Sequence, residues 1–246
     1  MTAHANIVSK FHQHLILLSG LGLMAISAAS FAAPTEPVAW AEELVQNITP
    51  DHNTYDASPT YIYWAGVNGA VDYENRTQCS SFLTNLLKQS YGWDNSTFKA
   101  WFGSTSPTAA KYHDAIQAQN GFTLLANVQD LTMGAILAIK YPEGGASTGH
   151  VMLVRNAPEE MPAKAPIIAD TRQYAVEIFD SSQSGHGSGD TRKMADGSWD
   201  KGVGMGVFRI YADEISGEIV GYTWSTYSNS VYYSQSDRHL VAGFLQ

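Results

Sequence analysis

Cys79 is the only cysteine in this chain of 246 residues. No internal disulfide can staple such a chain, so its fold must be held by a buried core. In an oxidising compartment an unpaired thiol is a liability unless it is buried or used. The material for a core is present: 44% of residues are hydrophobic and 11% aromatic, in a chain long enough to fold without cross-links.

The N-terminus predicts the compartment. Residues 1–32 hold one basic residue, Lys10, and no acidic one, then an apolar run from Leu15 to Ile26 and the small-residue segment SAASFAAP. That order is the pattern of a secretory signal peptide, with cleavage after Ala32 placing Ser30 and Ala32 at the two positions that must be small. An apolar core of about a dozen residues, interrupted by Ser19, Gly20 and Gly22, is short for a span of roughly 20. The expectation is therefore a secreted or periplasmic protein with no membrane span after cleavage, and with no cysteine after the run for lipid attachment. The rest of the chain carries 13 basic and 23 acidic residues, a formal charge of −10. Such a balance disfavours nucleic acid and anionic membrane as partners. An N-terminal arm (33–59) and one domain (60–246) are expected to follow the leader.

Periodicity places the thiol. Counting from Cys79, apolar residues fall at Phe82, Leu83, Leu86 and Leu87, which is one face of a helix. Asn75, with the amide of Gln78 three residues on, is a candidate N-cap, so Cys79 is expected in the first turn, and Gly92 is a stop signal. Two readings of the thiol stand side by side. It is either a small buried hydrophobe or a nucleophile whose thiolate is stabilised by the free N–H groups and positive dipole end of the helix.

A base is sought among the histidines outside the leader: His52, His113, His150, His186 and His239. His150 opens the apolar run GHVMLVRN after the loop EGGASTG, and DLTMGAILAIKY lies upstream. Residues 135–155 thus predict two antiparallel strands, with His150 at a strand start where its ring can meet a docked helix. A third run, QYAVEIFDSSQSGHGSGDTR, predicts a strand from about Tyr174 to Phe179 ending in Asp180. Asp180 suits either a turn-initiating role or that of a carboxylate orienting an imidazole.

Taken in order, YIYWAG, QCSSFLTNLL, LTMGAILAI, TGHVMLV and VEIFDSS resemble the NlpC-type branch of the papain-like cysteine peptidases and amidases, over most of residues 61–182. The resemblance implies an α+β fold in which a nucleophile helix packs on an antiparallel sheet that GVGMGVFRIY, GEIVGYTWS and HLVAGFL would extend. It also implies amide cleavage with Cys79 as nucleophile, His150 as proton carrier and Asp180 as orienting group, no cofactor, and a peptide or amide substrate such as peptidoglycan. Tyr61 or Tyr63 matches the family's upstream tyrosine. The chain departs from the family at two points. Gln78-Cys79-Ser80-Ser81 stands where Asp-Cys-Ser-Gly is usual, and Asp180 stands where a third histidine is common. Segments 94–128 and 156–173 look inserted, the first helical and the second a surface loop.

A catalytically silent binder of wall glycan or peptide, and a thiol-dependent acyltransferase, share the same pattern. A zinc site from Cys79, His150 and His186 lacks close ligand spacing, so no metal is expected. NIT, NRT and NST at Asn47, Asn75 and Asn95 match the glycosylation acceptor pattern. The aromatic tail at 222–233 fits a hairpin or a glycan-stacking surface.

Overall fold

The computed structural model describes residues 36–246; the expected signal peptide and its cleavage point lie outside them. The described chain starts with helix α1 (Glu36–Asn47), which buries Val38, Ala41 and Leu44 at spacings of three. Strands β1 (Asn53–Tyr55), β2 (Tyr61–Tyr63) and β3 (Glu74–Thr77) form a small sheet in the order β1-β3-β2, with β1 parallel to β3. After Gln78 come helices α2 (Cys79–Tyr91), α3 (Asn95–Phe102) and α4 (Ala109–Gln117).

The other strands are β4 (Phe122–Leu125), β5 (Ile136–Lys140), β6 (Gly149–Val154), β7 (Glu159–Met161), β8 (Thr171–Ser182), β9 (Gly202–Asp213), β10 (Ile219–Thr223), β11 (Tyr232–Ser234) and β12 (His239–Leu245). They form one sheet in the order β11-β10-β9-β8-β6-β5-β12-β4, with β7 paired to β8, and every pairing is antiparallel. The fold is α+β. Among the described residues, no helix is long and apolar enough to cross a membrane.

Alternation along β5 and β6 buries both faces of the sheet. Ile136, Ala138, Val151 and Leu153 pack in one cluster with Phe82, Leu83 and Leu86 of α2. Leu137, Ile139, Met152 and Val154 pack in a second cluster with Phe208, Ile210 and Tyr222 of β9 and β10. Strands that are several places apart in the sheet meet in that second cluster, so the sheet curls around it, as its inherent twist favours.

Several expectations need adjustment. Residues 36–59, expected as an arm, bring α1 into the same core as α2, and Arg155 beside β6 holds Glu42 of α1 with two hydrogen bonds of 2.7 and 3.0 Å. Asn75 is not a helix cap. It lies in β3 with its side chain buried, donating to Asn53 Oδ1 at 2.9 Å and accepting from Thr77 Oγ1 at 2.6 Å, so its glycosylation motif is not presented to solvent. Asp180 lies within β8, which runs on to Ser182 because β9 pairs with it throughout. Segment 156–173 is not all loop, since β7 pairs with β8. The aromatic tail forms the β10-β11 hairpin.

Candidate active site

The site forms where two strands part. β6 and β8 pair only at Leu153–Phe179 and Val154–Ile178, and beyond those positions the β3-to-α2 corner bridges them. Ser181 Oγ of β8 donates to the Thr77 carbonyl at 2.9 Å, and Cys79 Sγ lies 4.0 Å from the Gly149 carbonyl oxygen at the start of β6. Gly149 has to be glycine. Its φ is 146°, and a Cβ there would overlap the Ile139 carbonyl of the neighbouring strand.

Cys79 is the first residue of α2, with Gln78 as N-cap, and the helix ends at Gly92 in the left-handed conformation (φ 64°). Ser81 is turned back on the helix start. Its Oγ accepts from the Gln78 N–H at 2.8 Å and donates to the Gln78 carbonyl at 3.1 Å. The side chain is thus used as a cap.

The structure brings Cys79, His150 and Asp180 together. His150 is 7% exposed and Asp180 is fully buried, and His150 Nε2 donates to Asp180 Oδ2 at 2.6 Å. That leaves His150 Nδ1 for the thiol. Burial pushes the Cys79 thiol up, but the charge and hydrogen bond of His150, with the Val151 N–H, outweigh it and hold the thiol below its ordinary value. Burial pulls His150 down, and the Cys79 thiolate and Asp180 carboxylate reverse this and raise it. The two shifts describe one thiolate–imidazolium pair.

His186 is the residue that sequence reasoning misplaced. The glycine- and serine-rich stretch around it reads as a surface loop, yet it is 3% exposed. Its Nε2 donates to Asp180 Oδ2 at 2.8 Å, and its Nδ1 faces the Trp224 carbonyl oxygen at 2.8 Å. Arg192 Nη1 stands 2.9 Å from Asp180 Oδ1, in ion-pair contact but not aligned as a hydrogen-bond donor. Burial alone would raise the Asp180 carboxyl; Arg192, His186 and His150 together hold it well below the usual carboxylate range. The loop is ordered by Asp190, which accepts from the His186 N–H at 2.7 Å and pairs with Arg192 Nη2 at 2.7 Å. Gly204 and Gly206 of β9 admit it: a Cβ at either would strike Arg192 or the Asp190–His186 pair. The alternating glycines of GVGMGV were the available signal.

A cleft of about 600 Å³ opens over the thiol. Tyr55 and Tyr141 line it, and Tyr61 and Tyr63, expected there, stack on each other elsewhere with ring centroids 4.8 Å apart. Burial, then the nearby thiolate, pushes the Tyr55 hydroxyl up to about 12; burial and the same thiolate do likewise for Tyr141, against the opposing pull of Arg238. Both phenols are therefore neutral donors beside the sulfur.

His150, Asp180 and His186 also have the makings of a metal-binding group. Their geometry argues otherwise. Nitrogen–oxygen distances of 2.6 and 2.8 Å leave no room for an ion with ligand bonds of about 2.1 Å on both sides. Arg192 already neutralises the carboxylate from behind. A zinc site from Cys79, His150 and His186 is ruled against by the same geometry, because both rings point Nε2 at Asp180.

No protein-family model matches the chain, and no solved structure matches it significantly. One relative is the uncharacterized protein R653 of Acanthamoeba polyphaga mimivirus, 31% identical over 216 residues, an alignment that covers 84% of this chain and 94% of the viral protein.

Proposed function

The chain belongs to the family of the mimiviral uncharacterized protein R653, and from the site itself we propose that it is a cysteine amidase or endopeptidase of papain-like, NlpC-type architecture. One observation carries this reading: a buried imidazole is held at Nε2 by a buried carboxylate, which leaves Nδ1 for the sole thiol, set at a helix start against the Gly149–His150 strand start. In the proposed cycle the Cys79 thiolate attacks the amide carbonyl carbon, and the carbonyl oxygen takes up negative charge. The Cys79 backbone N–H and the Tyr55 hydroxyl are the proposed donors to that oxygen. His150 gives its proton to the leaving nitrogen as the C–N bond breaks, leaving a thioester on Cys79. It then takes a proton from water, whose oxygen attacks the thioester. Release of the carboxylic acid returns the sulfur and the imidazole to their starting pair. Asp180 holds the ring and stabilises its charged form.

The proposal includes export after loss of residues 1–32 and action on cell-wall peptide or a related amide. The test is incubation of the purified protein with wall fragments and a capped peptide library, with products read by mass. Cleavage should add one water per cut bond, and hydroxylamine should trap the acyl group as a hydroxamate. Absence of products, combined with a Cys79 that ignores iodoacetamide at pH 6 in the folded protein, would overturn it. The exported chain should begin at Ala33 by N-terminal mass.

A further inference from the structure

The charge character of the cleft narrows the substrate. Beside Cys79 the walls are Gln78, Ser80, Thr108, Ser147, Thr148 and Gln183. Past His150 lies a second hollow of about 230 Å³ that shares Tyr141, His150 and Ser182 with the first and adds Ser184, Gly185, Trp224 and His186, whose ring nitrogens are already turned to Asp180 and the Trp224 carbonyl. The two hollows thus form one groove crossing the imidazole, with room on both the acyl side and the leaving-group side of a bond above Cys79.

No Asp, Glu, Lys or Arg lines either hollow, although 15% of the chain is charged. The charges close at hand are turned away or already paired. Asp180 is fully buried behind the rings of His150 and His186. Arg238 stacks on Tyr141 and Tyr233, 4.4 and 4.2 Å from their centroids, so it steadies the shared wall instead of entering the groove. An ionised substrate group entering here loses hydration and meets only the Cys79–His150 pair, whose charges already satisfy each other, whereas a hydroxyl or carboxamide exchanges water for wall hydroxyls and amides. Tyr141 and Trp224 add aromatic surface to the wall.

Resting on the amidase reading above, we propose that the substrate is an uncharged polar peptide, with hydroxyl- or carboxamide-bearing residues on both sides of the cut amide. It follows that wall peptides with free carboxylates next to the cut bond are poor substrates.

Three capped peptides test this: acetyl-Ser-Gln-Ser-Ser-amide and its counterparts with Glu or Lys in place of Gln. Binding is measured by calorimetry on the full chain with Cys79→Ala, and turnover on the unaltered protein. The neutral peptide should be favoured over both charged ones by at least about tenfold in affinity and, where cleavage occurs, in kcat/KM. Equal binding, a preference for either charged peptide, or no binding of any of the three overturns the proposal. Neutral preference in binding with no turnover in the unaltered protein sustains the groove's selectivity and sinks the amidase reading instead. A second arm uses Gln183→Arg, an exposed position. It should raise the affinity of the Glu peptide relative to the neutral one by about tenfold, and an unchanged ratio counts against a groove that selects on charge.

Discussion

His186 Nε2 lies 2.8 Å from Asp180 Oδ2, the same oxygen that receives His150 Nε2 at 2.6 Å. One carboxylate oxygen is thus held between two rings, while Arg192 sits against the other. Rotation of the carboxylate would break all of these contacts at once. His150 is therefore oriented by a group that is itself fixed.

From that arrangement His186→Ala should weaken the low-pH reactivity of Cys79 with iodoacetamide several-fold and cost about 1–3 kcal/mol of stability. Asp180→Ala should do more on both counts, about 3–5 kcal/mol, because it strips a buried charge of its partner. Urea midpoints and alkylation rates at pH 6 measure the two effects. An unchanged rate in the His186→Ala variant would return the residue to a surface role.

The coupled pair sets a pH profile. His150 is raised on folding, so its contribution is full below about 6.5 and fades as pH climbs toward the folded value. Cys79 is lowered, so its contribution is full above about 8.5 and fades as pH falls toward the folded value. Where the two windows overlap, between about 6.5 and 8.5, one rises as the other falls and they offset each other. The unaltered protein should therefore exceed Cys79→Ala in melting temperature most near neutral pH, and the margin should shrink toward both acid and alkali. Differential scanning calorimetry across pH 5–10 reads it, and a margin that grows steadily toward high pH would remove the ion pair.

Ser81→Ala should cost about 1 kcal/mol, the usual worth of a helix cap, with turnover nearly unchanged. A large loss of kcat at constant stability would mean that Ser81 serves the chemistry instead of the helix start. Denaturant titration alongside steady-state kinetics separates the two.

Gly149→Ala should be far more damaging than its size suggests, at about 3 kcal/mol or more, since it forces an L side chain into a positive-φ position against the Ile139 carbonyl. The displaced strand start should also carry His150 off the thiol. Loss of alkylation at pH 6 in whatever fraction remains folded is the accompanying signature.

The elements whose signals are local were legible in the sequence. The spacing Cys79, Phe82, Leu83, Leu86, Leu87 announced α2 and its buried face, and the apolar runs around Ala138 and Val151 announced β5 and β6 in antiparallel register. Cys79, His150 and Asp180 could be picked out because each sits at or near the end of such an element. His186, Arg192 and Tyr55 could not. The order of the loop carrying His186 and Arg192 comes from Asp190 and from the room left by Gly204 and Gly206 on a strand later in the chain. Tyr55 reaches the cleft through the parallel pairing of β1 with β3. Glycine and serine around His186 signal flexibility when the partners that remove it lie outside the window being read.

The site draws on residues from Tyr55 on β1 to Trp224 just past β10, so during synthesis the thiol emerges long before the groups that will enclose it. For that interval Cys79 is an exposed thiol on an unfinished sheet. In a compartment that oxidises thiols, any second cysteine in the chain would be a competing partner for it. A sequence with one thiol removes that misfolding route within the molecule, and the late arrival of β8, β9 and the Trp224 hairpin becomes tolerable.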